Sequence, residues 1–160
     1  METVTDLIKQ ALRNEIYASA FFTKAAEMTK DDEARMLFIE LGGMEDDHAN
    51  ELVDKLKNTP CSEGLDMAAY LKELESSTDP VIAGEVLATI ENGDAHAVLR
   101  LAIESEERAV QTYTKLADEV VDLEVKSYCL ELVRQEKTHA SMLTKHLRSM
   151  DMDAEDRPGL

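Results

Sequence analysis

Four long stretches of the chain carry apolar residues at i, i+3/i+4 and i+7, the period of a helix with one buried face. The first covers about 3–29, with Val4, Leu7, Ile8, Ala11, Leu12, Ala18, Phe22, Ala25 and Ala26 on one stripe. The second covers about 31–58 through Leu37, Phe38, Leu41, Leu52 and Leu56. The third covers about 95–120 through Leu99, Ala102, Ile103, Ala109, Val110, Tyr113 and Leu116. The fourth covers about 123–149 through Val125, Cys129, Leu132, Leu143 and Leu147. Thr29-Lys30-Asp31-Asp32 supplies turn and cap chemistry between the first two, and Asp94, after Asn92-Gly93, is placed to cap the third. Two short helices are predicted in the connector: one over about 64–75, on Met67, Leu71 and Leu74, and one from Pro80, capped by Asp79, to about Glu91. Residues 151–160, with Pro158-Gly159, read as a flexible tail.

The pattern repeats. Shifted by 91 positions, residues 11–57 fall on 102–148 without a gap. Glu15 falls on Glu106, Phe22 on Tyr113, Glu45 on Glu136, His48 on His139 and Leu52 on Leu143. A duplicated helical hairpin is the simplest origin, and two hairpins make a four-helix bundle about a pseudo-two-fold axis. The first hairpin spans about 3–58, the crossover 59–93 and the second hairpin about 94–149, giving one domain over 1–150. A helix of this length reaches about 40 Å, so the chain must cross back along the bundle before the second hairpin starts. One long crossover is a feature of ferritin-like bundles, so the fold class expected is an all-α, ferritin-like four-helix bundle.

Each stripe is broken midway by a carboxylate: Glu15, Glu45, Glu106 and Glu136. Burying an unpaired carboxylate costs several kcal/mol or raises its pKa steeply, so four in one core call for compensating cations. Glu15 and Glu45 lie 15 residues either side of Lys30, and Glu106 and Glu136 lie 15 either side of Val121. In antiparallel hairpins each pair is therefore level, about 22 Å from its turn. His48 and His139 follow Glu45 and Glu136 by three residues, on the same helix face. Two Glu from two helices with two Glu-x-x-His motifs from the others form a di-metal carboxylate ligand set. Four carboxylates and two imidazoles suit iron or manganese, and zinc is tolerated. Glu104 and Glu107 are rivals of Glu106, which wins on repeat register and on phase with Ile103 and Val110.

Composition narrows the functions. The net charge of −17 sets the chain against DNA, RNA and anionic membrane surfaces. No apolar run approaches the roughly 20 residues of a membrane span. The start, Met1-Glu2-Thr3-Val4, lacks the basic and apolar regions of a signal peptide. Two cysteines, Cys61 and Cys129, make neither a zinc site nor a disulfide framework, which fits a reducing cytoplasm. His96 is expected to be exposed and His146 to be structural, while Met28, Met36, Met44 and Met142 are expected to fill the core.

At Asn14-Glu15, Phe21-Phe22, Glu45-Asp46-Asp47-His48, Ala102-Ile103-Glu104-Ser105-Glu106, Thr112-Tyr113 and Glu136-Lys137-Thr138-His139, the sequence resembles the rubrerythrin-like branch of the ferritin-like superfamily. By that resemblance Glu45 and Glu136 would bridge two iron ions, Glu15 and Glu106 would be terminal ligands, and His48 and His139 would each hold one ion. Tyr113, two turns after Glu106, could hydrogen-bond a ligand carboxylate. The implied activity is that of a non-haem di-iron oxidoreductase, oxidising Fe(II) with, or reducing, O2 or H2O2. An iron-storage shell and a structural bundle with a relic site are the alternatives. Full rubrerythrins carry a rubredoxin-like domain with four cysteines. Its absence here implies an external electron donor such as a rubredoxin-like protein, and a homodimer is the assembly expected. Rubrerythrins also tend to carry an extra Glu one turn after the third-helix ligand. Ala109 stands there, with Ala18 as its repeat mate, which argues for a symmetric site and against efficient peroxidase activity.

Overall fold

Each long helix starts where a side-chain oxygen takes up backbone N–H groups that the first turn leaves without partners. In the computed structural model, which describes residues 2–57, 65–77 and 81–155 (the side chains of 153–155 excepted), the helices are α1 Val4–Met28, α2 Asp32–Leu56, α3 Met67–Ser76, α4 Gly84–Glu91, α5 Ala95–Glu119 and α6 Leu123–Glu155. Thr3 and Asp6 form a reciprocal capping box on α1. Asp31 caps α2 and Asp94 caps α5, each through two N–H groups. Asp122 accepts from the N–H groups of Glu124 and Val125, both at 3.0 Å, at the start of α6. Among the described residues there is no strand, and no helix is long and apolar enough to cross a membrane.

The molecule is an all-α, ferritin-like bundle of two hairpins, α1–α2 and α5–α6. α1 also packs along α5, while α2 meets α6 more sparsely. Gly42 lets α1 and α2 approach closely: a Cβ there would lie 3.3 Å from the Phe22 Cβ. The apolar core falls into two clusters. Leu7, Leu12, Leu52, Leu56, Leu116 and Leu132 belong to one end of the bundle. Phe21, Phe22, Phe38, Leu41, Leu99 and Leu143 belong to the other. The crossover spans both ends: Met67 and Tyr70 of α3 join the first cluster, and Ile90 of α4 joins the second.

Several local expectations are corrected. The second short helix starts at Gly84, with no side-chain cap at Ala83. The expected start at Asp79-Pro80, like Cys61, lies outside the described residues. α6 does not end at 149 but continues to Glu155, where a flexible tail was expected. Asp151 in that extension lies 2.6 Å from His96 Nε2, so His96 is half-buried and partnered rather than exposed. Met36 is 72% exposed and Met44 is partly exposed, because both fall off the buried stripe of α2. Met28 and Met142 do pack against the core. His146 is largely buried away from the candidate metal ligands, 3.4 Å from Asp31 Oδ2.

Candidate metal centre

Between the two apolar clusters lies a polar layer. Glu15 of α1, Glu45 and His48 of α2, Glu106 of α5, and Glu136 and His139 of α6 are all buried, none more than 3% exposed. Glu104 and Glu107, the rivals of Glu106, face solvent. Helical pitch explains the placement: each of the six stands in phase with the leucines and alanines of its own stripe, so the packing that buries those residues buries it too.

The two imidazoles carry the geometry. His48 Nδ1 lies 2.8 Å from Glu136 Oε1, 3.5 Å from Glu45 Oε2 and 3.6 Å from Glu15 Oε2. His139 Nδ1 lies 2.9 Å from Glu45 Oε1, 3.3 Å from Glu136 Oε2 and 3.8 Å from Glu106 Oε2. The rings are nearly parallel, at 11°, with centroids 5.7 Å apart. Each Glu-x-x-His therefore reaches across to the carboxylate of the opposite hairpin. Two ligand groups result, Glu15/Glu45/His48/Glu136 and Glu45/Glu106/Glu136/His139, each with its candidate donor atoms within 4.8 Å of one another. Glu45 and Glu136 are common to both groups.

The electrostatics are those of a layer that holds protons in place of cations. Burial, joined by the hydrogen bond with Glu45, pushes the Glu15 carboxyl well above its ordinary range. Burial also pushes Glu106 up to about 11. Burial acts on Glu45 and Glu136 as well, but hydrogen bonds to both histidines and to a neighbouring Glu outweigh it and hold both below the ordinary range. Burial pushes the imidazoles down, yet hydrogen bonds to three carboxylates apiece reverse the sign. His139 rises to about 11, and His48 is raised further still. Two carboxyls, two carboxylates and two imidazoliums make a neutral layer. Four carboxylates, two neutral imidazoles and two divalent cations would make another.

Glu15 Oε2, Glu106 Oε1 and Glu136 Oε2 are buried without a hydrogen-bond partner. An orphaned buried polar atom costs roughly 1–3 kcal/mol, so lone pairs left this way fit a cation. The donor set, imidazole nitrogen with carboxylate oxygen, suits first-row divalent ions.

Residues 97–158, from α5 through α6, match the family model for rubrerythrin. That match over the second hairpin, together with the buried Glu/His layer, supports a rubrerythrin-like, ferritin-like protein. No curated protein and no solved structure matches it. The first hairpin lies outside the matched residues, but it repeats the Glu and Glu-x-x-His positions of the second at the offset of 91.

Neighbouring groups of this polar layer divide unevenly. Tyr113 is fully buried and donates its hydroxyl proton to Glu15 Oε1, on α1 rather than on its own helix. Burial and the Glu15 charge push the phenol well above its ordinary pKa, so it stays a donor. Gln135, beside Glu136, was not among the residues singled out in the sequence. Its Oε1 lies 2.5 Å from His48 Nε2. Glutamine next to a ligand has no spacing signature, so only the fold reveals that it faces α2. Outside the imidazoles a cavity of about 410 Å³ opens between α2 and α6, lined by Met44, His48, Gln135, His139 and Met142 among others.

Proposed function

We propose that this protein is a non-haem di-iron oxidoreductase that couples Fe(II) oxidation to reduction of O2 or H2O2. The observation that carries the reading is the sharing of Glu45 and Glu136 by two otherwise separate ligand groups. Bridging carboxylates of this kind hold two metals close together. Glu15 and His48 would complete one position, and Glu106 and His139 the other. The iron pair, when bound, supplies two electrons, one from each ion. The chain supplies the rest. The leucine and phenylalanine clusters above and below exclude bulk water from the layer. Tyr113 holds Glu15. The cavity beside the imidazoles gives a small oxidant an approach from the α2–α6 side. An external donor, such as a rubredoxin-like protein, would return electrons, and a homodimer in the cytoplasm is the assembly and setting we propose.

The test is anaerobic Fe(II) titration followed by oxidant. Two Fe(II) per chain should bind, and addition of O2 or H2O2 should produce the absorbance of an oxo-bridged ferric pair with consumption of the oxidant. Uptake of two Fe(II) with no such absorbance and no oxidant consumed would reject the redox reading while leaving a metal-binding protein.

A further inference from the structure

The repeat makes the two cation positions equivalent in their ligands, but not in what holds those ligands. His48 lies 2.5 Å from Gln135 Oε1 through its outer nitrogen. The pseudo-two-fold mate of that contact would join His139 to residue 44, which is Met44. A thioether is a poor acceptor, and among the described residues His139 Nε2 has no hydrogen-bond partner. A second difference falls on the same side. Glu15 is held by the Tyr113 hydroxyl, while the mate of Tyr113 is Phe22, which has none to offer Glu106.

The orientation of the Gln135 amide is determined by its other end. Gln135 Nε2 donates to Glu131 Oε1 at 3.3 Å, and an ionised carboxylate can only accept. Gln135 Oε1 must therefore face His48, so His48 Nε2 must carry a proton. In the neutral imidazole that a cation would require, this places the lone pair on Nδ1, the nitrogen that lies among Glu136, Glu45 and Glu15. Among the described residues nothing comparable selects the tautomer of His139.

We propose that Gln135 is a positioning residue that makes the two halves of the centre unequal, so that the position formed by Glu15, Glu45, His48 and Glu136 fills first and binds more tightly. The inference rests on the di-metal reading above. Removing an outer hydrogen bond to a ligating histidine weakens metal binding by about 10–100-fold, which sets the expected size of the inequality.

The experiment is calorimetric titration of the full chain with Co(II) as the probe. The wild-type protein should bind two Co(II) in resolved steps, the second at least about 10-fold weaker. Gln135→Met should weaken the tighter step by about 10–100-fold and leave the other in place, merging the two. Because Met44 already occupies the equivalent position on α2, the bundle should accept that change, and circular dichroism checks it. Met44→Gln should act in the opposite sense and tighten the weaker step. NMR of the Co-free and Zn-loaded protein should show a protected His48 Nε2–H that is lost in Gln135→Met and kept in the wild type. Equal steps in the wild type, or a Gln135→Met variant in which both steps are unchanged or both weaken alike, overturns the assignment to Gln135. Uptake of fewer than two Co(II) by the wild type sinks the di-metal reading itself, and the inequality with it.

Discussion

Glu45 and Glu136 differ from Glu15 and Glu106 in one respect that governs their substitution: each faces both histidines. Glu45→Ala or Glu136→Ala should abolish binding of both cations, whereas Glu15→Ala or Glu106→Ala should leave one, as metal analysis after gel filtration would show. Tyr113→Phe removes a buried donor and leaves Glu15 Oε1 without a partner. It should destabilise the metal-free protein by about 1–3 kcal/mol in urea unfolding. Stability with pH follows from the same groups. The histidines are raised above their ordinary 6.5, so their contribution is full below that value and fades as pH climbs toward the folded-state pKa. Glu15 and Glu106, raised above 4.5, also bind protons more tightly in the fold, so above 4.5 they too lower stability as pH rises. Glu45 and Glu136, lowered, contribute above 4.5 and lose that contribution only in acid. The metal-free protein should therefore melt at progressively lower temperature from pH 6.5 to 9, and the metal-loaded protein should not. A melting temperature of the metal-free form that rises over that window would contradict the proton-filled layer.

At the scale of the helix, α2 carries two adjacent glycines in different surroundings. Gly43 is exposed, and a Cβ there would meet nothing within 4 Å. Gly43→Ala should stabilise the protein by about 0.5–1 kcal/mol through helix propensity alone. Gly42 is buried, and its Cβ would press on the root of the Phe22 side chain at 3.3 Å, where no rotamer change can give way. Gly42→Ala should instead destabilise by about 1 kcal/mol as α1 and α2 are forced apart. Paired denaturation curves decide the matter, and a gain at both positions would show that the α1–α2 contact is looser than the distance implies. The extension of α6 through Asp151 belongs to this scale too. The His96 contact gives that turn a partner on α5, which no pattern within residues 151–160 announces.

At the scale of the molecule, the polar layer lies between two apolar clusters, so a cation bound there should raise stability. Occupancy of one position at about 100 times its dissociation constant adds about 2.7 kcal/mol. For a domain of this size that corresponds to a rise of roughly 5–10 °C in melting temperature. Calorimetric scans with and without a chelator should show it, and identical scans would indicate a layer that holds no metal. Analytical ultracentrifugation addresses assembly. A dimer is expected, and a large shell would favour iron storage over oxidant reduction.

The four helices, the duplication and the level at which six buried carboxylate and imidazole side chains meet are legible in the periodicity of the chain. Those features follow from helical pitch, which converts spacing along a chain into face and height without reference to any other segment. Glu15, Glu45, Glu106 and Glu136 stand 15 residues from their turns, and His48 and His139 one turn beyond. That Gln135 meets His48, that Tyr113 bonds Glu15, and that α6 runs on to pair Asp151 with His96 depend instead on packing between helices. Each of those contacts joins two different helices, and its partner is set by how far apart and at what rotation the helices pack. Periodicity within one helix records which face is buried, and it carries no record of which side chain stands opposite.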